Sequence, residues 1–113
     1  MFRRLEPARK WTTGTRKKIE ISEVGEITLN HDEQVIILGR RGSGYEVTRK
    51  SWGFYAAPSL DHRIPSYGLK AMLVINSVGR HYLMLVDKTQ TQEFINYCAE
   101  ESLIIVFEFS SKI

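Results

Sequence analysis

The sequence predicts an α+β fold: a mainly antiparallel sheet of about five to seven strands, with one helix of the C-terminal half packed on a face. Three observations carry this. Apolar and polar residues alternate with a period of two from Lys18 onward, as half-buried strands require. Asn76-Ser77-Val78-Gly79-Arg80 separates two aliphatic runs with a short, Gly-containing connection, as in a hairpin. One segment, Thr89 to about Glu101, switches to helical spacing.

Each element follows in turn. Residues 1 to 17 hold no sustained period, and Pro7, Gly14 and Thr12-Thr13 favour an extended, flexible arm ahead of a single domain spanning 18–113. Trp11 has the apolar area to anchor that arm. Ile19 and Ile21 alternate with Glu20 and Ser22; Gly25 breaks the run before Ile27 and Leu29. Asn30-His31-Asp32 supplies turn chemistry. Val35-Ile36-Ile37-Leu38 is a continuous apolar run, which implies that both faces are covered. Gly39 to Gly44 then leads into a strand with Tyr45 and Val47 on one face, Glu46 and Thr48 on the other. Lys18 to Arg49 thus reads as an antiparallel meander. A small barrel-like N-terminal meander over 18–50, followed by a ββαβ unit, is the alternative architecture.

Leu69–Ile75 and His81–Val86 are apolar on both faces and belong in the middle of a sheet. Thr89 with Gln92 fits a capping box, and Phe94, Ile95, Tyr97 and Cys98 form the apolar stripe of the helix. Leu103–Phe109 closes the chain as a strand, with Ile104, Val106 and Glu108 on one face and Leu103, Ile105, Phe107 and Phe109 on the other.

Composition narrows the function classes. Apolar content of 42% and charge of 26% are globular values. No apolar run approaches the ~20 residues of a membrane span, and no signal-peptide pattern follows the first residues. Cys98 has no cysteine partner, so a reducing cytoplasm is the expected location. The net charge of +3 hides an asymmetry: Arg3, Arg4, Arg9, Lys10, Arg16, Lys17 and Lys18 face only Glu6 through residue 18. Basic character therefore belongs to the arm, which can attract phosphates non-specifically.

Arg49 to Gly68 is the stretch richest in candidate contact residues. Trp52, Phe54, Tyr55 and Tyr67 lie among Arg49, Lys50, Asp61, His62 and Arg63. Aromatic faces beside positive charge suit an anionic small ligand or a protein partner. The plainer alternative is that Trp52 and Phe54 cap the core. Asp61-His62-Arg63 resembles a base with an orienting carboxylate, but neighbours in sequence point in different directions. Arg40, Arg41 and Gly42 form a possible anion-binding turn, although no helix follows to hold a pyrophosphate. His31, His62, His81 and Cys98 match no metal-ligand spacing, so neither metal nor cofactor is expected.

Three readings follow. The leading one is a non-catalytic binding or accessory domain that presents residues 49–68 to an anionic small ligand or a protein partner. Nucleic-acid binding through the basic arm and Arg40/Arg41 is the second. A small enzyme using Asp61, His62 or His81 is the third. Tyr45, Val47 and the Leu103–Phe109 strand make a homodimer an even alternative to a monomer, because exposed sheet edges invite pairing.

Overall fold

The computed structural model describes residues 1–39, 44–57, 59–61, 63–66 and 68–109. The fold is α+β: eight antiparallel strands in three small sheets, with a helix of the C-terminal half against one of them. The strands are β1 (Phe2–Thr13), β2 (Ile19–Ile27), β3 (Gln34–Leu38), β4 (Gly44–Lys50), β5 (Gly53–Ala57), β6 (Leu69–Ile75), β7 (His81–Asp87) and β8 (Ile104–Phe109). The helices are α1 (Arg63–Ser66) and α2 (Thr91–Glu100). β1 pairs with β2; β3-β4-β5 and β7-β6-β8 are the three-stranded sheets.

The expected meander divides in two. β2 does not continue into β3 but folds back on β1, so Phe2–Thr13 is strand rather than a flexible arm. Its weak periodicity has a local cause: the register shifts between Arg4 and Arg9, across Pro7, which cannot donate to a ladder. Cross-strand charge supports the pairing, with Arg3 on Glu26, Arg9 on Glu23 at 2.8 Å and Lys10 on Glu20 at 3.7 Å. Gly25 does not interrupt β2. A Cβ there would lie 2.6 Å from both the Phe2 ring and the Arg3 carbonyl oxygen, so the two strands approach closely only because the residue is glycine.

β3 is an edge strand, and Ile36, Ile37 and Leu38 are exposed rather than covered on both faces. In its sheet Tyr45 and Val47 share a face, as the alternation implied, opposite Ile37 and Val35. The other face mixes Ile36 and Leu38 with a polar group of Gln34, Glu46 and Thr48. Gln34 Nε2 donates to Glu46 Oε2 at 2.8 Å, and Thr48 Oγ1 donates to Gln34 Oε1 at 2.8 Å.

The core sits on β6, the middle strand of the third sheet. Met72, Val74 and Val86 are buried on its helix-facing side, with Met84, Phe94 and Leu103 packed against them. On the opposite side, Leu69 and Ala71 are buried near the β6 start, where α1 packs with Ile64 fully covered. β7 is not central but an edge, because β8 takes the other flank of β6. The β6–β7 connection closes as a hairpin. Asn76 Oδ1 accepts from the backbone N–H of Val78 at 3.1 Å and of Arg80 at 2.9 Å.

Two sequence-level assignments change at the C-terminal end. The helical segment starts with a 3-10 turn over Lys88–Gln90 capped by Asp87, not with Thr89: Asp87 Oδ1 accepts from the Thr89 N–H at 2.9 Å. A carboxylate at a helix start answers both the open N–H and the dipole. β8 pairs Ile105 with Val74 but Phe107 with Leu73, so Val106 is an extra residue at a bulge. Ile104 therefore shares a face with Phe107 and Phe109, whose rings meet edge to face at 4.7 Å.

Among the described residues no helix is long and apolar enough to cross a membrane. No cluster of three or more His, Cys, Asp or Glu able to hold a metal occurs among them either.

Candidate functional site

β4 and β5 are joined by the two-residue turn Ser51-Trp52, with Lys50 opposite Gly53. Gly53 takes φ +144°, where a side chain is rarely accommodated. The turn carries Trp52 at its tip, 69% exposed, while Phe54 and Tyr55 behind it are 66% and 55% exposed. These aromatics do not cap the core. Strand pairing separates them: Phe54 lies across from Arg49, and Tyr55 lies across from Thr48 on the opposite face. The result is a hairpin tip with one of these two aromatic rings on each face.

The cations around this tip are engaged by the chain itself. Arg49 Nη1 donates to the Leu29 carbonyl at 3.1 Å. Lys50 Nζ donates to Asp32 Oδ1 at 2.6 Å. Backbone bonds complete the connection: the Asp32 N–H donates to the Arg49 carbonyl at 2.8 Å, and the Arg49 N–H to the Glu33 carbonyl at 3.0 Å. Hydrogen bonding from Lys50 holds the Asp32 carboxyl below its usual range, partial burial opposes this, and the nearby His31 adds to the lowering. The turn 29–33 thus straps the end of β4 and fixes the base of the aromatic tip.

The remaining sequence candidates divide. Asp61 is exposed in a turn. Arg63 opens α1 and reaches back to Glu46 of β4 at 3.5 Å, linking the segment after β5 to the sheet before it. The Ser59 hydroxyl accepts from the Arg63 N–H at 3.0 Å and holds the start of α1. His62 and Tyr67, and the proposed anion turn of Arg40, Arg41 and Gly42, lie outside the described residues. Arg49, Lys50, Trp52 and Tyr55 are therefore gathered at one hairpin end, with Asp61 and Arg63 on the segment that follows.

A second feature escaped the sequence reading. An apolar groove of about 380 Å³ runs between β7 and the helical segment, lined by Met84, Leu85, Val86, Gln90, Glu93, Phe94 and Tyr97. Its signal was present in the Phe94 and Tyr97 stripe, which reads equally as core. Burial raises the titration of Tyr45 above its ordinary value, and that of Cys98 on α2 likewise. Cys98 is therefore a protonated, covered thiol at neutral pH rather than a nucleophile.

Compared with known proteins, the chain matches no family model, no curated protein and no solved structure.

Proposed function

We propose that this chain is a non-catalytic binding or accessory domain whose contact surface is the β4–β5 tip, and that its partner there is a protein. The observation that carries this reading is the exposure of Trp52, Phe54 and Tyr55 on one rigidly based hairpin. Tryptophan and tyrosine supply large contact area at little entropic cost, and they dominate binding hot spots together with arginine. A hairpin tip with rings on both faces fits a groove on another protein better than it encloses a small molecule. Lys50 already serves Asp32 and Arg49 the Leu29 carbonyl, which leaves less free positive charge for an anionic ligand.

Tryptophan emission tests the reading. In a Trp11→Phe background, Trp52 is the remaining tryptophan and starts in an exposed site. A partner engaging the tip shifts its emission to the blue, and Tyr55→Ala weakens binding at least tenfold. Isolated partners whose affinity is unchanged by both Trp52→Ala and Tyr55→Ala would sink the proposal. A thermal-shift screen of anionic metabolites, repeated on Trp52→Ala, tests the small-ligand version of the same surface.

Nucleic-acid binding through the basic segment draws less support. Arg3, Arg4, Arg9 and Lys10 each face a carboxylate within the ribbon or beside it. A binding constant that falls steeply with salt, and that fails with Arg16, Lys17 and Lys18 replaced by Gln, would restore that reading.

A further inference from the structure

The chain exposes more surface than its mass requires. Its accessible area is 8471 Å², against about 6,400 Å² for a monomer of this size. Its radius of gyration is 15.7 Å, against about 13 Å for a compact chain of this length. The excess of about 2,000 Å² is close to one protomer's share of an obligate homodimer interface.

Among the described residues the longest unbroken run of exposed large hydrophobics is on β8. Ile104, Ile105, Val106 and Phe107 are 66, 39, 46 and 54% exposed in succession. They lie on both faces of the strand, since Ile105 pairs across to the helix-facing Val74 and Ile104 and Phe107 to the opposite side. A partner docked on one face would cover only half of them. A strand added along the edge covers both sets, because its side chains neighbour those on either face. That edge is open: β8 pairs with β6 and with no other strand among the described residues.

β8 also lacks the devices that protect sheet edges. It has no Lys and no Pro, and its single charge, Glu108, is already paired with Lys70 at 3.4 Å. The flanks of the β1–β2 ribbon are charged by contrast. The β3 edge is apolar, but no residue of its sheet is buried among the described residues, whereas β8 borders the strand that carries the core. A specific interface needs such a rigid base.

We infer that β8 is a self-association edge: two copies pair their β8 strands antiparallel about a two-fold axis, joining two three-stranded sheets into one of six. Pairing of identical edges is self-complementary and closes at the dimer. This surface is separate from the β4–β5 tip and does not depend on the reading given for it.

Light scattering coupled to gel filtration, at tens of micromolar chain, is expected to give twice the 13.1 kDa of one chain. Val106→Lys places a charge at a half-exposed bulge position and is expected to raise the dimer dissociation constant at least tenfold, while Ile36→Lys on the β3 edge leaves it unchanged. Cysteine scanning covers the case in which the lysine variant fails to fold. In a Cys98→Ala background, single cysteines replacing Ile104, Val106 and Glu108 should cross-link to themselves on mild oxidation, with one position well above the others. A monomeric wild type overturns the inference. So does a dimer indifferent to Val106→Lys, or one that cross-links through Ile36→Cys and not through β8.

Discussion

The Lys50 ammonium donates to the Asp32 carboxylate at 2.6 Å across the turn that secures the end of β4. The pairing joins residues 18 apart in sequence, and Asp32 holds φ +63°, a conformation that aspartate tolerates better than most residues. The base of the aromatic tip therefore depends on charge as well as on strand pairing.

The pH dependence of that strap has a defined sign. The carboxyl of Asp32 titrates lower in the folded chain than in the unfolded one, chiefly because Lys50 donates to it. Its contribution is thus fully present above the ordinary aspartate value of about 3.9 and fades as pH falls through the lowered folded-state value. Carboxyl carbon NMR should show an Asp32 midpoint below that of an ordinary aspartate, moving upward in Lys50→Met. An unmoved midpoint would remove Lys50 as the cause.

Gly25→Ala should destabilise the β1–β2 ribbon by about 1–3 kcal/mol, the usual cost of forcing a methyl group into a closed space. The new Cβ would meet the Phe2 ring and the Arg3 carbonyl oxygen. Phe2→Ala should recover part of the loss but not all, because the carbonyl is backbone. Amide hydrogen exchange over Ile19–Ile27 measures it, and unchanged protection would contradict the close approach.

Ser102→Gly should stabilise the chain by about 1 kcal/mol. Ser102 stands at φ +55° just past the helix end. There the Leu103 N–H donates to the Cys98 carbonyl at 2.8 Å and the Ser102 N–H to the Ala99 carbonyl at 3.5 Å, a Schellman closure that favours glycine. Urea titration should move the midpoint upward with an unchanged slope.

The Cys98 thiol should react with a disulfide reagent far more slowly in the native chain than in urea, since it is buried with its pKa raised. A raised thiol value means that folding favours the protonated form. Stability from this group is therefore intact below about pH 8.5, the ordinary cysteine value, and is lost as pH rises through the folded-state value. The stability gap between wild type and Cys98→Ala should narrow, or change sign, as pH is taken from 7 to 10.

Much of the fold was legible because periodicity is local. The β6–β7 hairpin, the alternation of Tyr45 and Val47 against Glu46 and Thr48, and the end of the helical segment near Glu101 all follow from residues close in sequence. What escaped was long-range. Gly25 reads as a break in β2 until Phe2 is found against it. Val35–Leu38 reads as a doubly covered strand, although an apolar run states only what a strand prefers, not what lies beside it. Thr89 and Gln92 satisfy a capping pattern, yet Asp87, two residues earlier, takes the role with a charged oxygen. The candidate site was legible as a segment. Trp52 and Tyr55 do come together with Arg49 and Lys50 at one hairpin end, but only strand register reveals that Phe54 and Tyr55 point to opposite sides.

The bulge at Val106 bears on how the chain tolerates changes of length. Omitting that one residue would leave Ile104, Phe107 and Phe109 on their present side and Ile105 and Glu108 on theirs, since the pairs flanking it already alternate. Absorbed any other way, the added residue would turn Glu108 away from Lys70 and onto the aliphatic side of the sheet. Position 106 is thus a place where one residue can be gained or lost while every other side chain of β8 keeps its address.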